Sequence, residues 1–180
     1  MIEEDLLIKQ LKNAQTQDKA FRELMSQYKE RLYWHIRKIV ISHDDTDDVL
    51  QNTFVKVYRN INKFNAESKL YSWMYRIATN ESITFINKRA KQNTVNVDEM
   101  QLQLVNNLEA DVYFDGTAIQ LQLQKAIATL PQKQQLVFNM KYFDDMKYQE
   151  ISEVLETSVG ALKASYHHAV KKIETLLKRS

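Results

Sequence analysis

The chain has 180 residues and a net charge of +2, and it contains two glycines, one proline and no cysteine. This length fits one or two small domains, and the scarcity of Gly and Pro favours an almost wholly helical, all-α protein. The absence of Cys excludes disulfide bonds, thiolate zinc sites and cysteine catalysis. No apolar run is long enough to span a bilayer, and the first residues are acidic. A cytoplasmic chain without direct membrane insertion is therefore expected.

The N-terminal part, residues 1–91, predicts a helical domain. Apolar residues recur every three or four positions from Phe21 to Ile39, which predicts a long helix. A second helix is predicted to begin at the acidic run 43–48, because carboxylates are favourable at a helix N-terminus. Its buried stripe comprises Leu50, Phe54, Val57 and Ile61. Its opposite face comprises Asp48, Gln51, Asn52 and Val55, where an exposed valine among polar residues indicates a docking surface.

A third helix is predicted at 69–91, after a loop at 62–68. One face combines amides, a hydroxyl and cations without an acid: Arg76, Asn80, Thr84, Asn87, Lys88 and Lys91. Amides hydrogen-bond base edges and cations hold phosphates, so this face predicts nucleic-acid binding. Aromatic residues precede it, and unpaired bases stack on such rings. Core packing is the simpler role for Trp73, whereas Phe64 and Tyr71, nearest the loop, are the candidates for base stacking.

Residues 92–116 contain no Lys or Arg and carry five acids, Asp98, Glu99, Glu109, Asp111 and Asp115. The segment is rich in Asn and Gln and shows no sustained helical period. It is therefore predicted to be an acidic linker between two domains, rather than a long loop within one.

The C-terminal part, residues 117–180, ends in a predicted helix-turn-helix. A short helix leads through Glu156, Thr157 and Ser158 into a longer one, for which Ser158 is the expected N-cap. The apolar stripe of the longer helix is Leu162, Tyr166, Ala169, Ile173 and Leu176. The opposite stripe is short, polar and cationic, as a DNA groove requires: Lys163, Ala164, His167, His168 and Lys171. A solvated helical hairpin remains the alternative for this pattern alone.

Two blocks of the sequence resemble a known family. DDTDDVLQNTFVKVYRNINKF followed by SKLYSWMYRIATNESITFINK resembles region 2 of bacterial sigma-70 family factors, in the extracytoplasmic-function (ECF) group. The C-terminal LQKAIATLPQKQQLVFNMKYFDDMKYQEISEVLETSVGALKASYHHAVKKI resembles region 4 of the same group. The order of the two blocks and the absence of a middle domain make the resemblance more specific than either block alone.

The resemblance implies a dissociable subunit of RNA polymerase that recognises promoters and needs no cofactor. By this resemblance, Asp48, Gln51, Asn52 and Val55 dock on the core enzyme. Lys163, His167 and His168 contact bases of the minus-35 element, on the face that also holds Ala164 and Lys171. The minus-10 element, as it melts, is held by Phe64, Asn65, Ser68, Lys69, Tyr71, Arg76, Asn80, Thr84, Asn87 and Lys88.

The resemblance also implies an anti-sigma factor as a partner, often anchored in the membrane, and a linker that threads the basic channel for RNA. The chain departs from the family at two places, since Ser165 and His168 stand where members commonly have Arg. The longer helix of the helix-turn-helix is therefore expected to carry less positive charge than in those members. The preferred minus-35 sequence cannot be transferred from relatives.

Two other classes of protein are alternatives to a sigma factor for this sequence. A helical metal-carboxylate enzyme would use Glu-x-x-His pairs, and no Glu here has a His three positions later. The acids at 43–48 lack the central Gly of a calcium loop, and no catalytic constellation is found. A stand-alone helix-turn-helix regulator would have no use for single-strand aromatics and would usually dimerise.

Overall fold

Nine α-helices and one short 3₁₀ helix form the regular structure of the computed structural model, which describes residues 3–108 and 116–178. Within these two ranges there is no strand. The elements are α1 (Glu4–Leu11), α2 (Gln17–Val40), α3 (His43–Asn60), the 3₁₀ helix (Ile61–Lys63), α4 (Leu70–Gln92), α5 (Val97–Asn106), α6 (Ala118–Ala128), α7 (Gln132–Tyr142), α8 (Tyr148–Leu155) and α9 (Val159–Leu177). The all-α expectation is confirmed.

The N-terminal bundle is built on α2, which packs against α1, α3 and α4. Leu24, Leu32 and Ile36 of α2 are completely buried, and each such side chain contributes about 2 kcal/mol through removal from water. The predicted stripe of α3 is buried as expected. Ser42 caps α3 by accepting a hydrogen bond from the Asp45 backbone N–H, so the acidic run begins this helix.

The C-terminal domain contains the predicted helix-turn-helix as α8 and α9. Leu155 ends α8, and Glu156 adopts the left-handed conformation with φ of 50°, which turns the chain sharply. The Ser158 hydroxyl accepts from the Ala161 backbone N–H at 3.3 Å, as predicted for the N-cap of α9. Leu162, Ala169 and Ile173 face inward and are buried.

The segment 92–116 differs from the prediction, because it contains the ten-residue helix α5. Asn96 caps α5, Met100 and Val105 are buried, and the Gln101 side chain donates to the backbone carbonyl of Ile39 at 3.0 Å. Gln101 and Val105 find partners outside the segment, at Ile39 and in α6, so the segment's own sequence did not reveal the helix. Asp98 and Glu99 lie in the first turn of α5, whereas Glu109, Asp111 and Asp115 lie outside the described residues.

The two domains pack directly against each other. The buried apolar cluster of the N-terminal bundle continues into α7 and α8 through Leu136, Met140, Ile151 and Val154. A second cluster joins α6, α7 and α9 within the C-terminal domain. Packing of α8 against α4 therefore places C-terminal side chains over one of the two predicted nucleic-acid faces.

Candidate nucleic-acid interfaces

The face of α9 predicted to enter a DNA groove is exposed along its length. Lys163, Ala164, His167, His168 and Lys171 all lie on the solvent side, opposite the buried stripe. The ring centroids of the two histidines are 6.0 Å apart. The Lys163 ammonium lies 5.9 Å from the centre of the Tyr148 ring, a cation–π contact between α9 and α8. The structure brings the predicted set together on one free surface.

The predicted face of α4 is divided into two halves. Thr84, Asn87 and Lys88, in the C-terminal half, are exposed. The N-terminal half faces α8, and its cations are already paired. The Lys69 ammonium lies 3.1 Å from a carboxylate oxygen of Glu150, and the Arg76 guanidinium lies 3.4 Å from Glu156. Asn80, between the halves, is exposed and lines a cleft beneath α7 and α8.

Phe64 does not stand where the prediction placed it. Its side chain is only 2% exposed and its ring packs on Trp73, with centroids 5.2 Å apart. The 3₁₀ helix Ile61–Lys63 turns the chain inward just before it, so the ring fills the core and offers no surface to a base. The expectation that Phe64 stacks on a base is therefore wrong for this arrangement. Sequence proximity to a loop was the misleading signal.

The other residues of the predicted base-capturing loop are more accessible. Asn65 is exposed, and its side chain accepts from the Glu67 backbone N–H at 3.3 Å. Ser68 is half-buried. The Lys69 ammonium lies 5.7 Å from the centre of the Tyr71 ring. The loop therefore still presents an amide, a hydroxyl, a cation and the edge of one aromatic ring near each other.

Tyr71 is half-buried and engaged with the C-terminal domain. Burial and a hydrogen bond to the Glu150 carboxylate raise the pKa of Tyr71. Burial opposes ionisation of Glu150, but hydrogen bonds from Tyr71, from the Lys147 backbone and from Lys69 outweigh it and lower the pKa of Glu150. Tyr71 is thus held by an acid of α8 in the closed arrangement, with its hydroxyl donating to the carboxylate.

A second polar link joins the domains at Asp144, between α7 and α8. Its carboxylate lies 3.0 Å from Nδ1 of His35 and 2.7 Å from the Lys38 ammonium, and its side chain is 6% exposed. Because a carboxylate only accepts, Nδ1 of His35 donates here. Burial opposes ionisation of Asp144, but His35 and then Lys38 outweigh it and lower the pKa of Asp144. Burial and this carboxylate raise the pKa of Tyr75 to about 12.

These acid-to-base links across the domains were missed by reasoning from the sequence. The partners are separated by 80 to 109 residues, so no helical spacing relates them. The mildly basic balance of residues 1–91 was visible, but nothing in it indicated that acids from the other domain would neutralise particular cations.

The face of α3 predicted for docking is exposed and continuous. Asp48, Gln51, Asn52 and Val55 all lie on its solvent side, and Val55 is 41% exposed. Thr53 and Phe54, between them in sequence, point into the core. An acid, two amides and an aliphatic side chain therefore form one surface, and no side chain of the C-terminal domain is recorded against these four residues in the described part of the chain.

No group of three or more His, Asp or Glu side chains in residues 3–108 and 116–178 is arranged to hold a metal ion. In the same ranges, no helix combines the length and apolar character needed to cross a membrane.

Comparison with protein families gives two matches in the order that the sequence predicted. Residues 24–92 match Sigma-70 region 2, and residues 120–173 match Sigma-70, region 4. The exposed face of α9 lies in the second match, and the faces of α3 and α4 lie in the first. The fold and these faces define the class as a promoter-recognising transcription initiation factor.

Relatives of similar length narrow the class. The chain is 31% identical over 168 residues to the ECF RNA polymerase sigma factor SigW of Bacillus subtilis (strain 168), which covers 89% of each protein. It is 26% identical over 164 residues to the ECF RNA polymerase sigma-E factor of Haemophilus influenzae, covering 87% of this chain and 86% of that protein. The chain belongs to the ECF group of the sigma-70 family and directs transcription initiation at promoters.

Two solved structures share the whole fold. CnrH in complex with the cytosolic domain of CnrY aligns with a TM-score of 0.71 at 22% identity, covering 98% of both chains. The sigma factor RpoE in complex with the anti-sigma factor NepR from Bartonella quintana aligns with a TM-score of 0.69 at 19% identity, covering 89% of this chain and 98% of that one. The stand-alone regulator considered above is not favoured by these findings.

Proposed function

We propose that the chain divides promoter recognition between its two domains. Residues 117–180 read the duplex minus-35 element through the exposed face of α9. Residues 1–91 hold the minus-10 element as a single strand, through α4 and the loop before it. Residues 92–116 connect the two. The polymerase supplies the chemistry of RNA synthesis, and this chain selects where synthesis begins.

One observation carries this proposal: two faces with nucleic-acid chemistry lie on different domains and differ in kind. The α9 face is cationic and narrow, with Ala164 between longer side chains, which suits close approach to a major groove. The α4 face combines the amides of Asn80 and Asn87 with the cation of Lys88 and the nearby ring of Tyr71. Amides, cations and a ring together suit exposed bases and their phosphates.

The α3 face is the proposed docking surface for core RNA polymerase. Asp48 and Val55 offer a charge and an aliphatic contact on opposite ends of one exposed stripe, with Gln51 and Asn52 between them. Such a surface suits a basic, partly apolar partner element. It lies on a different helix from both DNA faces, so polymerase and promoter can be bound together.

An anti-sigma factor is a further proposed partner. The solved structure of RpoE, similar in fold, contains the anti-sigma factor NepR, and CnrH was solved with the cytosolic domain of CnrY. We propose that this chain works in the cytoplasm, and that a partner of this class holds it inactive there or at the membrane.

The test is reconstitution with core polymerase. Core enzyme plus this protein is expected to give a defined run-off transcript from a promoter located by mapping transcript starts after overexpression. Core enzyme alone is the control and should give none. Specific duplex binding by the protein without any run-off transcript would instead support a stand-alone regulator and contradict the proposal.

A further inference from the structure

A cavity of about 510 Å³ lies where the two domains meet. Helices α2 and α4 contribute Arg31, Trp34 and Tyr75 to its wall, and the C-terminal domain contributes Gln124 of α6 and Phe143, which follows α7. Among the described residues, none of those assigned above to DNA or to polymerase lines it. Its volume falls within the range of small-molecule sites, about 300 to 1,000 Å³.

Two aromatic rings in this wall are open to solvent. Trp34 is 50% exposed and Phe143 is 39% exposed. Arg31, Trp34 and Lys38 follow one another on α2 at steps of three and four residues, so one face of the helix presents a ring between two cations. A planar apolar ligand would cover both exposed rings, and stacked or edge-on contacts with them are favourable.

The described residues around the cavity carry one more cation than acids. The cations are Arg31, Arg37 and Lys38, and the acids are Glu30 and Asp144. Lys38 is paired with Asp144 at 2.7 Å. Arg37 is only 8% exposed, so its charge is partly shielded from water. A ligand with a single negative charge would balance the surplus, and shielding from water strengthens its attraction to the cations.

Arg31 is the cation best placed to bind an anion. Its guanidinium lies 5.7 Å from the centre of the Tyr71 ring and hydrogen-bonds the Tyr75 hydroxyl, and neither contact neutralises its charge. In the part of the chain that the structure describes, no carboxylate forms an ion pair with it. A carboxylate takes two parallel N–H donors of a guanidinium. Burial and Asp144 raise the pKa of Tyr75 to about 12, so its hydroxyl stays protonated and adds a neutral donor.

We propose that this cavity binds a small, planar aromatic carboxylate, whose rings lie against Trp34 and Phe143 and whose carboxylate is held by Arg31. A carboxylate matches the surplus of one cation, whereas a phosphate monoester carries about two negative charges near neutral pH. The proposal does not depend on the assignment of the DNA faces. It adds a small-molecule ligand to the macromolecular partners proposed above.

Binding at this place would stabilise the packing of the two domains, because both contribute to the wall. A ligand that binds the folded, packed chain raises its stability in proportion to the logarithm of the ligand concentration. The midpoint of thermal unfolding should therefore rise with ligand. Such a ligand would give the protein a chemical input that needs no protein partner.

The test measures affinity for the full chain by ligand-observed NMR titration, with 2-naphthoate as the probe. The amide 2-naphthamide has the same rings without the charge, and cyclohexanecarboxylate has the charge without a planar ring. A Kd on the order of 100 μM is expected for 2-naphthoate, with binding of the other two about ten-fold weaker. Equal affinities for 2-naphthoate and 2-naphthamide, or no binding of 2-naphthoate up to about 5 mM, would overturn the proposal.

Substitution of the cation locates the carboxylate. Arg31→Gln should weaken binding of 2-naphthoate about ten-fold and leave 2-naphthamide unchanged, because only the charged ligand uses the guanidinium. Retained binding of 2-naphthamide also shows that the cavity is intact in this variant. Arg22→Gln is the matched control, an exposed cation of the same helix outside the cavity. Equal effects of the two substitutions on 2-naphthoate would show a general charge effect and contradict the proposed role of Arg31.

Substitution of the rings shows whether both domains take part. Trp34→Ala and Phe143→Ala should each weaken both naphthyl ligands about five-fold. Tyr58→Ala removes a ring of α3 that is 36% exposed and lies outside the cavity, and should change neither affinity. At about ten times its Kd, 2-naphthoate should raise the unfolding midpoint of the parent by roughly 3 to 5 °C. Dependence on Trp34 without dependence on Phe143, or an unchanged midpoint, would place the ligand outside the cavity and overturn the proposal.

Discussion

The two proposed DNA faces of this sigma factor both carry cations, and they differ in what lies against them. The α9 face is open to solvent, and the Tyr148 ring contacts the Lys163 ammonium. The N-terminal half of the α4 face lies under α8, where carboxylates hold its cations and its tyrosine. Helical periodicity predicted both faces but could not distinguish their accessibility. The two faces differ in accessibility, because Glu150 and Glu156, distant in sequence, contact cations of the α4 face and no such acid contacts the α9 face in the described residues.

The contact between α8 and α4 has an apolar centre and a polar edge. Ile151 and Val154 of α8 are buried in the cluster shared with the N-terminal bundle. Burial of these two side chains contributes about 2 kcal/mol each, whereas an exposed ion pair such as Arg76–Glu156 contributes about 1 kcal/mol or less. The apolar contacts therefore hold the domains together, and the acids determine which groups on α4 are neutralised.

Among these changes, loss of the buried Asp144 carboxylate should have the largest effect on the packing of the two domains. Asp144→Asn leaves His35 and Lys38 facing an uncharged group, and is expected to lower the free energy of unfolding by about 3 kcal/mol, measured by urea denaturation. Asp145→Asn is the control, because Asp145 is exposed and Asn tolerates its left-handed backbone equally well. Equal stability of the two variants would show that Asp144 does not anchor the domains.

Charge reversal on the α3 face tests the proposed docking surface for core polymerase, which neither α8 nor the proposed DNA contacts involve. Asp48→Arg is expected to weaken binding to core polymerase by about 2 kcal/mol, some thirty-fold, because like charges then meet at the interface. Asp47→Arg makes the same change a third of a turn away, at a side chain that is 57% exposed. Equal affinities of both variants in a co-sedimentation or fluorescence assay would refute the docking assignment.

Removal of a single cation tests the exposed face of α9. Lys163→Ala should lower affinity for duplex minus-35 DNA by about 1 kcal/mol and flatten its salt dependence by about one unit of slope, since one phosphate contact is lost. Lys172→Ala is the matched control on the same helix, outside the predicted face and exposed. An identical salt slope in Lys163→Ala and the parent protein would remove Lys163 from the phosphate contacts.

Low pH should weaken the contact between the two domains, with a smaller effect than the substitutions above. The pKa values of Asp144 and Glu150 lie below the ordinary 3.8 and 4.5, so both stabilise the closed form fully above those values and lose that contribution as pH falls through the lowered ones. The chain has no cysteine, so Lys19→Cys and Ile119→Cys can carry one spin label on each domain. The distance between these two labels is therefore expected to be constant from about pH 7 to about pH 5 and to lengthen below about pH 4. Glu150→Gln should reduce this response, and an unaltered response in that variant would argue against a contribution from Glu150.

The sequence predicted α2, α3, α4, α8 and α9, the turn at Glu156, the cap at Ser158 and the family, because these depend on local spacing and residue type. It failed at Phe64, where a ring beside a loop turned out to be core. It also failed at α5, whose stability depends on contacts with residues such as Ile39 far away in the chain. The pairing of Glu150 with Lys69 across 81 residues left no local signal.

The most direct measurement of the division of labour is promoter opening by the reconstituted holoenzyme, followed with 2-aminopurine in the minus-10 element beside a duplex-binding assay. Lys163→Ala is expected to weaken duplex binding. Asn80→Ala, which changes an exposed amide of α4, should slow opening while duplex affinity stays close to that of the parent. If both variants lowered duplex affinity alike and left opening intact, the two faces would not have the separate roles assigned to them.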